Sequence, residues 1–294
     1  MCNDFMKTML VAIPTNGKRK EIFDVIKYVV RSLNKINVKP VFSICTDDIS
    51  KFSGKHLKDT VYFSLNPQKF DYTYHNIEAI RQGILKFKPD FVSIISDDFI
   101  VPAKKISNLI EPLLNGYDAT FSCWGSNKIA STYPKFQYVS ELFVNRIANS
   151  VSIASPDYPN MLSYSFDYES DFSDMTQIFC GIFAFRKECW TRTLDRMMKI
   201  FGTTKLGWSL EVAILLSARD LGLKITNVAC DKIKEKNPPV LGERSTRLIQ
   251  IKDTFECANT FLKYTKQHDK LQRMSKIQSE MIKIIEAILI ESDA

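Results

Sequence analysis

Three histidines, no CxxC pair and no glycine-rich nucleotide loop leave several chemistries without the residues they need. The seven cysteines are Cys2, Cys45, Cys123, Cys180, Cys189, Cys230 and Cys257. An odd count without CxxC spacing supports neither a disulfide framework nor a cysteine zinc site. Most of them sit in apolar strand or helix contexts, where cysteine acts as a small hydrophobe, and a reducing, cytoplasmic setting is expected. The turn after the first strand lacks GxGxxG, which argues against a hydride-transfer dinucleotide fold. There is no GxSxG elbow, no Walker loop and no HExxH pair. No apolar run approaches the length of a membrane span. The opening MCNDFMKTMLVAIPTNGKRK carries an early acid and an apolar run broken by Pro14, so it reads as a first strand and not as a signal peptide.

What remains is an ordinary folded composition: 294 residues, 45% hydrophobic, 25% charged. That length fits one large α/β domain with an appendage, or two smaller domains. The formal charge of +7 favours phosphate-bearing ligands or an anionic membrane surface. The basic residues are scattered, so nucleic acid is not an expected partner.

The first half alternates strand and helix. TMLVAIP reads as a strand, and EIFDVIKYVVRSLNKI puts Ile22, Phe23, Ile26, Val29, Val30 and Leu33 on one helical stripe. PVFSIC and TVYFSL follow as strands, then a helix HNIEAIRQGILKFK and the strand that runs into Asp97. A helix after Pro102 (KKISNLIEPLLNG) and the strand DATFSCW complete this half. Such alternation predicts a mainly parallel sheet covered on both faces, with ligands at the carboxyl ends of its strands. Two acidic pairs, Asp47/Asp48 and Asp97/Asp98, fall at such ends. Neighbouring carboxylates repel unless a cation or water intervenes. They suit either a cation and hydroxyl site or simple capping of turns and helices.

From about residue 125 to 176 the pattern loosens into PDYPNMLSYSFDYESDFSD and its flanks, expected to cover a substrate or bind an acceptor. QIFCGIFAFRKECW then reads as a strand containing Gly181, followed by a helix. WSLEVAILLSARDLG is an apolar helix with Glu211 near its first turn, and LKITNV a closing strand. Beyond Pro238-Pro239 a basic loop leads into two helices. The last carries Met274, Ile277, Met281, Ile284 and Ile288 at heptad-like spacing, which suits packing on the parent domain, homo-oligomerisation or, third, peripheral membrane contact.

Three segments resemble the nucleotide-sugar-dependent glycosyltransferases of the GT-A fold, in particular the family-2-like enzymes and relatives of the mannosylglycerate synthase kind. They are VAIPTNGK, NIEAIRQGILKFKPDFVSIISDDFIVP, and IFCGIFAFRKECW followed by WSLEVAILLSARDLGLKITNV. The resemblance implies a Rossmann-like GT-A domain over 1–235, with a nucleotide-sugar half (1–124) and an acceptor half (125–235), and a C-terminal extension over 236–294. It implies transfer of a hexose from a UDP- or GDP-sugar to a small polar or glycan acceptor, assisted by Mg²⁺ or Mn²⁺. Pro14, Thr15 and Asn16 would face the base, and Asp47 or Asp48 would bond its edge. Ser96-Asp97-Asp98 stands at the Asp-x-Asp position, with Asp98 as metal ligand and Asp97 on a ribose or sugar hydroxyl. Arg81 would contact phosphate or ribose, or lie solvated on its helix. Gly181 would admit the donor sugar or acceptor, and Glu211 falls where inverting members keep their catalytic base. The loop KNPPVLGERSTRLIQ lacks the histidine that relatives use as a further metal ligand; Arg244 and Arg247 would grip the diphosphate instead. Two other readings stay open: a nucleotidyltransferase acting on sugar phosphates, and a catalytically degenerate GT-A-like binding protein.

Overall fold

A computed structural model of the chain describes residues 6–15, 20–46, 49–52, 59–64, 72–97, 99–123, 182–202, 206–229 and 244–291. At its centre lies β1 (Lys7–Thr15), whose Met9–Ile13 stretch is wholly buried. Five consecutive apolar residues suit a strand covered on both faces. It pairs in parallel with β2 (Val38–Thr46) on one side and with β4 (Phe91–Ile94) on the other. With β3 (Thr60–Ser64), β5 (Ala119–Cys123), β6 (Phe183–Arg186) and β7 (Ile225–Ala229) they form a seven-stranded sheet in the order β3-β2-β1-β4-β6-β5-β7. Only β6 runs against the others among the described strands, pairing antiparallel with both β4 and β5, while β5 and β7 are parallel. The carboxyl ends of all the other strands, and the start of β6, therefore share one edge.

The helices run back from that edge. In α1 (Ile22–Asn34), Ile22, Ile26, Val29 and Leu33 of the expected stripe are buried together with Val25, while Phe23 and Val30 at its edges are half-buried. Its Ser32 hydroxyl, also buried, donates to Ser107 Oγ on α4 (Ile106–Leu114) at 3.0 Å. The helix expected after Pro102 begins earlier: α3 (Ile100–Lys104) has Pro102 as its third residue. A proline in a first helical turn gives up an N–H that has no partner there anyway, so it does not mark the boundary.

In α2 (Tyr72–Phe87) Gly83 lies against β1: a β-carbon there would meet the Leu10 side chain at 2.4 Å. Leu10 is fully buried and has nowhere to move. Gly83→Ala should therefore cost about 1–3 kcal/mol of overpacking. A lowered urea midpoint with unchanged slope would report it, and an unchanged midpoint would mean that α2 can slide.

Beyond β6 come α5 (Lys187–Phe201), a 3₁₀ turn at Gly207–Ser209, α6 (Leu210–Asp220), α7 (Arg244–Tyr264) and α8 (His268–Glu291). Phe121, Phe183 and Phe185 meet Trp190 of α5 in one aromatic cluster. α6 is buried from Leu210 to Ala218. α7 packs on α5, α6 and the 3₁₀ turn, and buries Ile251, Phe255, Ala258 and Leu262 at helical spacing. α8 lies on α7 and buries Met274, so the start of the last helix packs on its parent domain. The side chains of Ile277, Met281, Ile284 and Ile288, the rest of the heptad pattern, lie outside the described residues. Cys45, Cys189 and Cys257 are buried, consistent with their reading as small hydrophobes. Burial beside Asp118 pushes the Cys189 thiol up to about 11, far from a reactive thiolate. Among the described residues no helix is long and apolar enough to cross a membrane.

Candidate active site

The site is built where the carboxyl ends of β1, β2 and β4 meet. Thr15 closes β1 and pairs in register with Thr46, the last residue of β2. On the other side the ladder continues past β4, with Ile95 N–H donating to Ala12 O at 3.0 Å. This carries Asp97 to the level of Thr15. Thr15 Oγ1 donates to Asp97 Oδ2 at 2.5 Å, and the two residues are 3% and 6% exposed. A carboxylate removed from water this far needs hydrogen-bond donors, and the threonine hydroxyl is one of them. Pro14 is half-buried beside Thr15.

Several expected residues adjoin this corner in sequence but lie outside the described residues: Asn16 after Thr15, Asp47 and Asp48 after Thr46, Asp98 after Asp97, and Gly181 before Ile182 at the start of β6. For Arg244 and Arg247 the structure gives only their place on the first turn of α7.

Two further elements bring polar groups to the same edge. α2 ends just before β4 enters at the opposite edge, so its first turns lie at the carboxyl ends. There His75, Asn76 and Glu78 are all buried. The sequence reading passed over these three. Their signal was polar residues at 75, 78 and 82, spaced along one helical stripe, masked by the apolar Ile77, Ile80 and Ile84. Arg81, expected at a donor phosphate or ribose or solvated on its helix, forks onto Glu78: Nε to Oε2 at 2.7 Å and Nη2 to Oε1 at 2.6 Å. Its side chain remains 54% exposed. Those bonds, together with Gln82 Nε2 at 2.6 Å, hold the Glu78 carboxyl below its ordinary range despite burial.

The second element is the start of α6. Because α6 precedes β7, which runs parallel to β5, its first turn also lies at the carboxyl edge. The Gly207–Ser209 turn that leads into it packs against α2. Glu211, second residue of α6, is 7% exposed and is the one ionisable side chain between Leu210 and Ala218. A carboxylate in a first turn is favoured by the helix dipole. Chemically the edge thus offers a hydroxyl–carboxylate pair able to hold a sugar or ribose hydroxyl, and a buried carboxylate able to take a proton.

No family model and no curated protein matches the chain. Solved structures of one enzyme do match. Glucosyl-3-phosphoglycerate synthase from Mycobacterium tuberculosis, in complex with UDP, superposes with a TM-score of 0.54 at 15% identity over 86% of this chain and 80% of that one. Its complex with Mn²⁺, UDP and glucosyl-3-phosphoglycerate gives 0.53 at 15% identity over 86% and 80%. Its complex with Mn²⁺, UDP-glucose and phosphoglyceric acid gives 0.52 at 16% identity over the same shares. At such identities the likeness is one of architecture: the chain has the mainly parallel α/β sheet of the GT-A fold.

Proposed function

We propose that the protein is a glycosyltransferase that moves a hexose from a nucleoside-diphosphate sugar, UDP-linked in the first instance, to a small polar acceptor. The observation that carries this reading is the convergence of Thr15–Asp97 and buried Glu211 on the carboxyl edge of a GT-A sheet. Residues 1–124 would supply the donor side and 125–235 the acceptor side. The similar synthase has been captured with UDP-glucose, Mn²⁺ and glycerol 3-phosphate, a small phosphorylated acceptor, and a formal charge of +7 suits ligands of that sign.

In the reaction the acceptor hydroxyl oxygen bonds the anomeric carbon, the bond from that carbon to the diphosphate oxygen breaks, and Glu211 takes the hydroxyl proton. Thr15 and Asp97 hold a donor hydroxyl, with Asn16, Asp47 or Asp48 on the base and Gly181 leaving room for the sugar. Arg244 and Arg247 meet the diphosphate, and Arg81, forked onto Glu78, supplies positive charge near it. The acids this reading draws on are all oxygen donors: Asp98 follows the buried Asp97 in sequence, and Asp47 and Asp48 follow Thr46, the last residue of β2. That chemistry fits Mg²⁺ or Mn²⁺, which would be held by Asp98 and would neutralise charge on the leaving diphosphate.

A ligand that binds only the folded state raises the melting temperature. UDP and UDP-glucose with Mn²⁺ are expected to raise it by several degrees over Mn²⁺ alone, and Asp98→Ala should remove the Mn²⁺-dependent part. Absence of a shift across UDP, GDP, ADP, CDP and their hexose conjugates would refute the donor site. Pyrophosphate release from a nucleoside triphosphate would point to the nucleotidyltransferase instead.

A further inference from the structure

Gly207 opens the turn before α6 with φ of +53°, a left-handed conformation that costs little only for glycine. A β-carbon placed on it would lie 2.7 Å from Asp253 Oδ2. The carboxylate of a residue on α7 therefore rests against the bare α-carbon at the point where the chain turns towards Glu211. Neither Leu206 nor Ser209, the residues that cap this turn and α6, provides a side-chain cap. The Ser209 hydroxyl is turned back instead, donating to Leu206 O at 2.6 Å.

Packing around the contact is open on one side. A cavity of about 290 Å³ separates the end of α5 from α7 and is lined by Phe201, Leu206, Ser209, Asp253, Glu256 and Cys257. Burial pushes the Cys257 thiol up, so no second anion forms there from that side chain. The turn is held among α2, α6 and α7, and the cavity leaves its α7 side, where Asp253 stands, less closely filled. Among the described residues beyond its chain neighbours, Asp253 is the one whose atoms come within 4 Å of a β-carbon built on Gly207. An acid placed at a helix start is also electrostatically favoured.

We infer that Asp253 is a positioning residue: pressed on Gly207, it fixes the turn that sets where Glu211 stands, and so makes α7, the first helix of the C-terminal extension, part of the catalytic apparatus. The inference rests on the proposed role of Glu211. It gives a reason for glycine at 207, because any side chain there would both strain the backbone and displace the carboxylate. A misplacement of about 1 Å at a catalytic group costs on the order of 10²-fold in rate.

The test uses the full chain, with UDP-glucose, Mn²⁺ and glycerol 3-phosphate as probes, UDP release as readout, and amide hydrogen exchange over residues 206–213 alongside. Asp253→Ala and Gly207→Ala should each lower kcat by about 10²-fold. KM for UDP-glucose should not change, because donor contacts are made elsewhere. The two substitutions should be non-additive when combined, since removing the carboxylate leaves the new methyl nothing to displace. Exchange over 206–213 should quicken in Asp253→Ala. A merely structural Asp253 would lower the melting temperature while leaving kcat of the folded fraction unchanged, and that result overturns the inference. If Glu211→Gln abolishes UDP release and Asp253→Ala does not affect it, positioning fails while the base assignment stands. If Glu211→Gln is fully active, the base assignment fails, and the exchange data alone decide whether Asp253 holds the turn. Unchanged exchange then refutes it, as it does if the wild type releases no UDP.

Discussion

Glu211→Gln is expected to lower transfer by about 10²–10⁴-fold, the usual contribution of a general base, while leaving Mn²⁺-dependent UDP binding intact. The substitution keeps the shape of the side chain and its place in the first turn of α6. It removes the negative charge and the capacity to accept a proton from the acceptor hydroxyl. Donor binding is assigned to Thr15, Asp97, the loops beside them and Arg244 and Arg247 on α7, none of which is altered, so the thermal shift with UDP and Mn²⁺ should match wild type. Some change in stability is also expected, because glutamine in a first turn loses its favourable interaction with the helix dipole, worth roughly 0.3–1 kcal/mol. That effect is small beside the rate loss, and separating the two needs only the melting temperature of the unliganded variant. Full turnover in folded Glu211→Gln would mean that the buried carboxylate serves the helix and not the reaction.

Trp190→Ala should unfold the protein more readily than any surface substitution, by about 3–5 kcal/mol. Trp190 is 2% exposed. It stacks on Phe183 with ring centroids 5.6 Å apart and planes 15° apart, and meets Phe185 edge-on at the same separation. Both phenylalanines stand on β6, the strand that joins β4 to β5 through the middle of the sheet. Truncation would leave a void against the one strand on which both halves of the sheet depend. The urea midpoint should fall sharply with little change of slope, and Trp190→Phe should recover much of the loss. A cost below about 1 kcal/mol would show that the cluster collapses onto the gap.

How much of this was legible beforehand follows the range of the interactions involved. α1 is written in local periodicity, with Ile22, Ile26, Val29 and Leu33 of its apolar stripe buried; β1 and α6 are legible instead as continuous apolar runs, and α6 buries Glu211 and Ser217 along with its apolar residues. The carboxyl-edge position of Asp97 follows from strand–helix alternation, which dictates parallel neighbours. Alternation does not reveal that β6 is reversed and inserted between β4 and β5, because pairing order is settled by contacts between distant segments. α3 was placed too late because proline is a poor marker of a helix start when the missing N–H has no partner to lose. His75, Asn76 and Glu78 were hidden for a different reason. A polar residue on an amphipathic helix reads as solvent-facing unless another element covers it, and α2 is packed here against β1, β2, β4 and the turn that leads into α6. The Gly207–Asp253 contact could not be read at all: it joins a turn to a helix far along the chain, and no local spacing encodes it.

The reversal of β6 also decides where the protein can vary. Because β5 and β6 are an antiparallel pair, with Phe121 opposite Phe183, the chain leaves the sheet after Cys123 and returns at Ile182 on the same rim. The ladder fixes only those two ends. Because both ends lie on one rim, the entropic penalty of joining them grows only as the logarithm of the chain length between them, so the pairing of β5 with β6 is compatible with connections of widely differing length.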